Sequence, residues 1–475
     1  MVTCIFNCTV YNESQFVVLA GFVVLSEGRD AMYGDISMEH SNTSAFSTLA
    51  EAIDRAVERY AERNPRSAFQ HERAARVMPG GNTRSVLFYS PFPLAIARGE
   101  GCRLWDADGH EYIDFIGEFT AGLYGHSNPV IREAIDCALD TGINLSGHNL
   151  LESELARLIC DRFPAVDAVR FTNSGTEANL MAIAAARVHT RRDKVIVFAG
   201  GYHGGVLTFA KGHSRVNVPH DLLIAHYNDL ASAQRVFESH PDEIAAVVVE
   251  PMQGAAGCIR GEPEFLAGLR SLASKHGALL IFDEVMTSRL APGGLQEALG
   301  IEPDLTTLGK YIGGGMSFGA FGGHKSIMDQ FDPRKPSATP HAGTFNNNVL
   351  SMAAGAAGLS RLYTANVARE MNACGDRLRE QLNAICVQRN VPLQFTGKGS
   401  LMNLQAGRHA IRSVKDLLPE GDRVKDLFFF HMLEHGIYLA RRGFIVLSMP
   451  ITEKEIGRLL SAFDEFVERY ASVLA

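Results

Sequence analysis

The sequence predicts an α/β fold built on a mostly parallel sheet covered on both faces, joined to a second, smaller lobe. Two patterns and the chain length carry that expectation. Between Asp167 and Leu308, short continuous apolar runs alternate with helix-length amphipathic segments, the pattern of strands buried on both sides. Beyond Asn348 the chain turns to helices interrupted by short strands. The 475 residues also exceed what one hydrophobic core usually organises.

Residues 1–40 read differently from the rest. Phe16 to Leu25 is apolar, but a bilayer crossing needs about twenty such residues. The first basic residue, Arg29, follows that run, whereas a secretory signal places positive charge ahead of it. The stretch is expected to be a dispensable extension lying upstream of the true start, since Met32 and Met38 follow closely. Neither export nor a membrane span is expected, which points to the cytoplasm and deprives the sequons at Asn7 and Asn12 of weight.

The ordered part is expected to open with a helix over Ala45 to Arg63, where Leu49, Ile53, Val57 and Tyr60 recur at helical spacing and Asn64-Pro65 ends the run. Strands follow at Ala168–Phe171, Lys194–Phe198, Ile244–Val249, Ala278–Phe282 and Leu305–Leu308. SMAAGAAGLSRL after Asn348 predicts the start of a long helix, and Gly436–Leu439 and Phe444–Ser448 predict short strands.

Charge and cysteine usage narrow the function classes. Lys plus Arg number 45 against 53 for Asp plus Glu, a net charge of −8, and no basic block is present, so nucleic acid is not an expected partner. Eight cysteines lie scattered without a CxxC pair, the usage of reduced thiols and not of a disulfide framework.

In doubly wound sheets ligands bind beyond the carboxyl ends of the strands, so the polar residues that close the apolar runs come first. In VRFTNSGTEANL, Ser174-Gly175-Thr176 lies between a strand and a helix; free backbone donors and the helix dipole make such a turn a phosphate cradle, although alone it reads equally well as an N-capping turn. In VFAGGYHGG, Tyr202 and His203 follow two glycines, where an aromatic ring can lie against a planar group. VVVEPMQG ends in Glu250 and Gln253, and LLIFDEVMTSR places Asp283 at the mouth of an apolar strand, where a carboxylate needs a cationic partner. Lys310 closes a further run and precedes three glycines; singly it reads as a surface charge, but in a lined pocket a lysine can form a Schiff base.

The ordered set of SGT, YHG, Asp283 and Lys310, each at a strand end, resembles the fold type I pyridoxal-phosphate enzymes, and within them the class III aminotransferases. The resemblance covers Ala45 to the C-terminus. It implies a large domain at 106–347 with a mostly parallel seven-stranded sheet, a small α+β domain at 348–475, and an N-terminal segment at 41–105 packing with the small domain. It also implies pyridoxal 5'-phosphate as cofactor: Ser174, Gly175 and Thr176 holding its phosphate, Tyr202 stacking on the ring, His203 and Glu250 beside it, Gln253 reaching the ring hydroxyl, Asp283 pairing with the pyridine nitrogen, and Lys310 forming the Schiff base. HAGTFNNN resembles the family stretch that donates a phosphate contact across a dimer interface, which puts Thr344 in the neighbouring active site of a homodimer.

Glutamate-1-semialdehyde aminomutase shares much of this layout. Two segments favour an aminotransferase: PGGNTRSVLFYSPFPL, with Arg84 close to Tyr89, and YLARRGFIVLSMPIT, with Arg441 and Arg442. They resemble the branch of the family that acts on aromatic β-amino acids with 2-oxoglutarate or pyruvate as acceptor. That branch needs two carboxylate anchors, for which planar guanidiniums suit; Arg84 and Arg442 are the candidates, with Tyr89 beside the substrate. No metal is expected. The distant alternative is a zinc hydrolase, because His431-Met432-Leu433-Glu434-His435 matches HxxEH.

Overall fold

Seven strands form the main sheet, in the order Ala168–Thr172, Gly319–Gly323, Leu305–Gly309, Leu279–Asp283, Ile244–Val249, Lys194–Phe198 and Leu222–Ala225. All run parallel except Gly319–Gly323, which is antiparallel to both its neighbours. The computed structural model describes residues 46–474 apart from Lys211. The expectations about residues 1–40, including Met32, Met38, the sequons and two of the cysteines, lie outside the described residues.

The period of two decides what covers each face. Val195 and Val197 pack with Ala182, Ile183 and Ala186 of the helix Gly175–Thr190. The intervening Ile196 and Phe198 meet Phe237, Phe265, Leu266 and Leu269 from the helices Leu230–Ser239 and Pro263–His276. With both faces buried, alternation of polar and apolar residues disappears and the strands read as continuous apolar runs.

Two strands departed from the expected set. Leu222–Ala225 is a four-residue edge strand, and Gly319–Gly323 is glycine-rich, a composition that disfavours strands. The glycines are there for space. A Cβ at Gly319 would come within 2.1 Å of the Ser174 carbonyl oxygen, and one at Gly323 within 2.2 Å of that of Asp304.

The opening helix spans Leu49–Arg63, its N-terminus capped by Thr48, whose side chain accepts from the Glu51 amide. Instead of ending the helical region, Pro65 starts a second helix, Pro65–Ala75, as its first residue, where its missing N–H costs nothing. After Asn348 the expected long helix is broken in two. Val349–Ala357 runs into a single π-turn at Gly358–Leu362, and Thr364 caps a separate helix, Ala365–Gln388. The Tyr124 ring approaches Gly358 so closely that a Cβ would lie 2.5 Å from its hydroxyl oxygen.

Both ends of the described chain share one core. Ala52, Ala56 and Tyr60 of the first helix pack with Phe428, Phe429 and Phe430 of the helix Gly421–Glu434 and with Phe463 and Phe466 of the helix Glu453–Leu474. Two smaller sheets flank them, one of them pairing Ile437–Tyr438 with Glu111–Asp114 and the other pairing Phe444–Val446 with Leu401–Ala406. No helix among the described residues is long and apolar enough to cross a membrane.

Candidate active site

A cavity of about 630 Å³ opens at the carboxyl ends of the central strands, lined by Ser174, Gly175, Thr176, Tyr202, His203, Glu250, Asp283, Lys310, Arg84 and Arg442 among others. At its floor, Ser174 caps the helix Gly175–Thr190, accepting from the Glu177 amide at 3.2 Å. The first-turn amides of a helix have no intrahelical acceptor, and the dipole favours an anion there. Two glycines keep the floor low. A Cβ on Gly175 would lie 2.9 Å from Val285, and one on Gly204, whose φ is +127°, would lie 2.2 Å from the Thr176 hydroxyl oxygen. That hydroxyl accepts from the Gly205 amide at 3.3 Å. Such a cradle of hydroxyls and backbone donors fits a phosphate.

Asp283 ends the strand Leu279–Asp283 and is 4% exposed. Its carboxylate accepts from His203 Nδ1 at 2.8 Å, from Asn179 Nδ2 at 2.9 Å, from the Val285 amide at 3.0 Å and from the Thr307 hydroxyl at 3.3 Å. Burial opposes a charge on His203, but the hydrogen bond and negative charge of Asp283 outweigh it and raise the imidazole pKa. Asn179, not singled out from the sequence, sits one turn into the helix; it was visible only as a polar residue on a helix face that packs on strand ends. Glu250 accepts from the Tyr202 amide at 2.9 Å and the Gly254 amide at 3.0 Å, and burial pushes its carboxyl pKa upward.

Lys310 follows the strand Leu305–Gly309 in a left-handed conformation, φ +56°, and its Nζ donates to the Phe119 carbonyl at 2.7 Å. Burial, then the positive charges of Arg442 and Arg84, lower its pKa to about 8. Both guanidiniums lie over the Phe119 ring, Arg84 at 5.5 Å and Arg442 at 5.1 Å from its centre. Arg84 is ion-paired with Glu118, whereas Arg442 has no ion-pair partner among the described residues and its buried Nε is without an acceptor. Arg441 points elsewhere, into a pair with Asp426. Glu118 and Phe119 carry no local motif, and Gly117 and Gly122 on either side are the sequence's sign of the tight turn that holds them.

Three expected positions fall outside the cavity. Tyr89 is 3% exposed within the core of the smaller lobe, where its hydroxyl accepts from the Leu94 amide at 2.8 Å and its ring meets Phe429; satisfied there, it makes no wall for a substrate. Gln253 is 1% exposed, and its amide donates to the Ala199 carbonyl at 3.0 Å, tying two strand ends together behind Gly200. Thr344 lines a separate cavity of about 540 Å³ with the loop 143–149.

The HxxEH segment does not assume a peptidase arrangement. Glu434 is ion-paired with Arg59. The rings of His431 and His435 stack at 4.2 Å with planes 29° apart, and the carboxylate whose oxygen lies within 4.8 Å of a nitrogen of each is that of Glu465 and not that of the motif's Glu434. His431 Nε2 meets the Ala462 carbonyl at 3.1 Å, and His435 Nε2 meets Glu465 at 3.1 Å.

The pattern of the family described as aminotransferase class III matches residues 88–466. A beta-phenylalanine transaminase of Variovorax paradoxus is 56% identical over 426 residues, 90% of this chain and 98% of that protein. The crystal structure of the beta-phenylalanine aminotransferase from Variovorax paradoxus superimposes with a TM-score of 0.89 over 90% of this chain and 99% of that one. An omega-transaminase of Sphaerobacter thermophilus, 35% identical, gives 0.81 over 85% of this chain and 98% of its own. A glutamate-1-semialdehyde aminomutase of Pseudomonas aeruginosa gives 0.82 over 89% of this chain and 98% of its own, but at 24% identity it speaks only to the fold. A lysine and a carboxylate facing one anion cradle are thus found in a chain that matches one family along most of its length: it belongs to the class III aminotransferases, enzymes that work with pyridoxal 5'-phosphate.

Proposed function

We propose that this enzyme transfers the amino group of an aromatic β-amino acid, of the 3-amino-3-phenylpropanoate type and S configuration, to 2-oxoglutarate or pyruvate in two half-reactions, as a cytoplasmic homodimer. The observation that carries this reading is the convergence of Arg84 and Arg442 on the Phe119 ring beside Lys310. Two guanidiniums in one cavity meet the need to hold a β-amino acid in one half-reaction and a dicarboxylic acceptor in the other. The Variovorax paradoxus relative supports the choice of substrate class.

When bound, the cofactor supplies an electron-accepting ring that stabilises negative charge on the substrate carbon. The residues of this chain do the rest. Ser174, Gly175, Thr176 and Gly204 form the phosphate cradle. Asp283 would keep a proton on the ring nitrogen, and its carboxyl oxygens are fixed in place by His203, Asn179 and Thr307. Tyr202, 48% exposed over the cavity, and Glu250 stand ready to flank the ring and its substituents. Lys310, with a pKa of about 8, loses and regains a proton near neutral pH, as is required of the group that moves the proton at the substrate carbon. Arg442 and Arg84 orient the carboxylates. Phe119, Phe318, Phe444 and Met316 give the apolar wall an aryl group requires.

For the homodimer, the support is a set of exposed apolar side chains: Ile143, Leu145 and Phe345, which line one cavity with Thr344, and Leu150, 92% exposed at the end of the loop 143–149. A surface of that kind is covered in solution by another subunit, which would bring Thr344 to the partner's cradle.

The test is to incubate the holoenzyme with 3-amino-3-phenylpropanoate and 2-oxoglutarate and measure glutamate. Formation that stops when the acceptor is withheld supports the reading. No glutamate with any β-amino acid, together with isomerisation of glutamate-1-semialdehyde, would replace it with the aminomutase.

A further inference from the structure

The two guanidiniums over Phe119 differ in one respect. Arg442 has no ion-pair partner among the described residues, while Arg84 is held by a carboxylate of its own chain, Glu118. Both members of that pair line the cavity that also holds Lys310, and their side chains are 42% and 57% exposed. An ion pair so open to water is weak and exchangeable.

The backbone that presents Glu118 is unusual. Glu118, Phe119 and Thr120 have φ values of +46°, +51° and +81°, a region that non-glycine residues occupy at a cost and mostly at functional sites. This conformation aims neighbouring groups into one cavity: the Glu118 carboxylate at Arg84, and the Phe119 carbonyl at Lys310 Nζ, 2.7 Å away. An ordinary turn would not need the strain.

We propose that Glu118 is an internal competitor for Arg84, a carboxylate that occupies this anchor in the resting enzyme and is displaced by the carboxylate of the incoming substrate. The inference rests on the reading of Arg84 as a carboxylate anchor. Its consequence is a division between the two anchors: Arg442 is free to capture a carboxylate at once, and Arg84 accepts one only against Glu118. A competitor of fixed effective concentration lowers the affinity of every carboxylate at that anchor by the same factor, so Glu118 sets how tightly Arg84 holds any carboxylate without touching the reacting atoms. It also guards Arg84 from holding product too tightly.

The experiment uses the holoenzyme and an unreactive dicarboxylate, glutarate, which occupies Arg84 as well as Arg442, titrated calorimetrically. Glu118→Gln keeps the shape and removes the charge, and Glu118→Ala removes the side chain. Both are expected to bind glutarate about 2- to 5-fold more tightly than the parent enzyme, the range set by an exposed ion pair and a gain that mere structural damage does not produce. In an Arg84→Ala background the gain is expected to vanish. Unchanged or weaker binding in both Glu118 variants overturns the proposal, and so does a gain that persists without Arg84. The titration needs no turnover, so it is distinct from the glutamate assay above: an enzyme inactive on β-amino acids would defeat the substrate assignment, while the affinity comparison would still judge Glu118.

Discussion

Asp283 and His203 share a 2.8 Å contact between the carboxylate Oδ2 and the imidazole Nδ1, with both side chains less than 5% exposed. The carboxylate is therefore held from behind while its strand end faces the cavity. Asp283→Asn is expected to leave the fold intact and to reduce turnover by about 10²–10³-fold, the cost of removing one preorganised charge.

The same pair has a pH signature. The imidazole pKa of His203 is raised in the folded enzyme, so its contribution to stability is fully present below the unfolded value of about 6.5 and is lost as pH rises through the folded value. In Asp283→Asn this pH-dependent part of the stability is expected to disappear, and the His203 resonance in NMR titration is expected to move to lower pH. An unshifted titration would contradict the pairing.

Lys310 has a pKa lowered to about 8, and only its neutral form attacks an aldehyde. Pyridoxal phosphate added to cofactor-free protein is expected to react at a rate that rises with pH and levels off above about 8, not above 10. Arg442→Ala removes a neighbouring positive charge and is expected to shift that midpoint upward. Lys310→Ala is expected to stay folded and lose transamination altogether.

Arg84→Ala and Arg442→Ala are expected to impair the two half-reactions unequally. The loss at the unpaired Arg442 should fall in the range of about 2–5 kcal/mol for a truncated buried charge contact, and the loss at the exposed, self-paired Arg84 below it. Stopped-flow rates with amino donor alone, then with acceptor alone, separate the two. Equal small losses would demote both to structural residues.

Tyr89→Phe is expected to cost about 1–3 kcal/mol of stability, because the buried Leu94 amide loses its acceptor, with KM for the amino donor unchanged. A raised KM with unchanged Tm would return Tyr89 to the substrate pocket.

The parallel strands were legible because burial on both faces makes each a continuous apolar run, and their ends carried Ser174, Asp283 and Lys310 to one place. Gly319–Gly323 was not, since its glycines answer to backbone oxygens from other strands that no local pattern reveals. Arg84 and Tyr89 illustrate the limit within one segment. Five residues apart, the first lines the cavity and the second turns into the core, and what separates them is the position of the Leu94 amide and of Phe429. Glu118 escaped notice because an exposed glutamate is ordinary; only its left-handed backbone and its partner set it apart.

The core shared by the two ends of the chain has a consequence for synthesis. Arg84 leaves the ribosome early and Arg442 near the end, and at roughly 5–20 residues per second the interval is on the order of a minute or less. Through that time the apolar stripe of the helix Leu49–Arg63 waits for Phe428 and its neighbours. The central sheet, lying between, can close first. On the reading proposed above, in which Arg84 and Arg442 anchor carboxylates, a nascent chain acquires its anion cradle and its lysine first, and selectivity is the last property it gains.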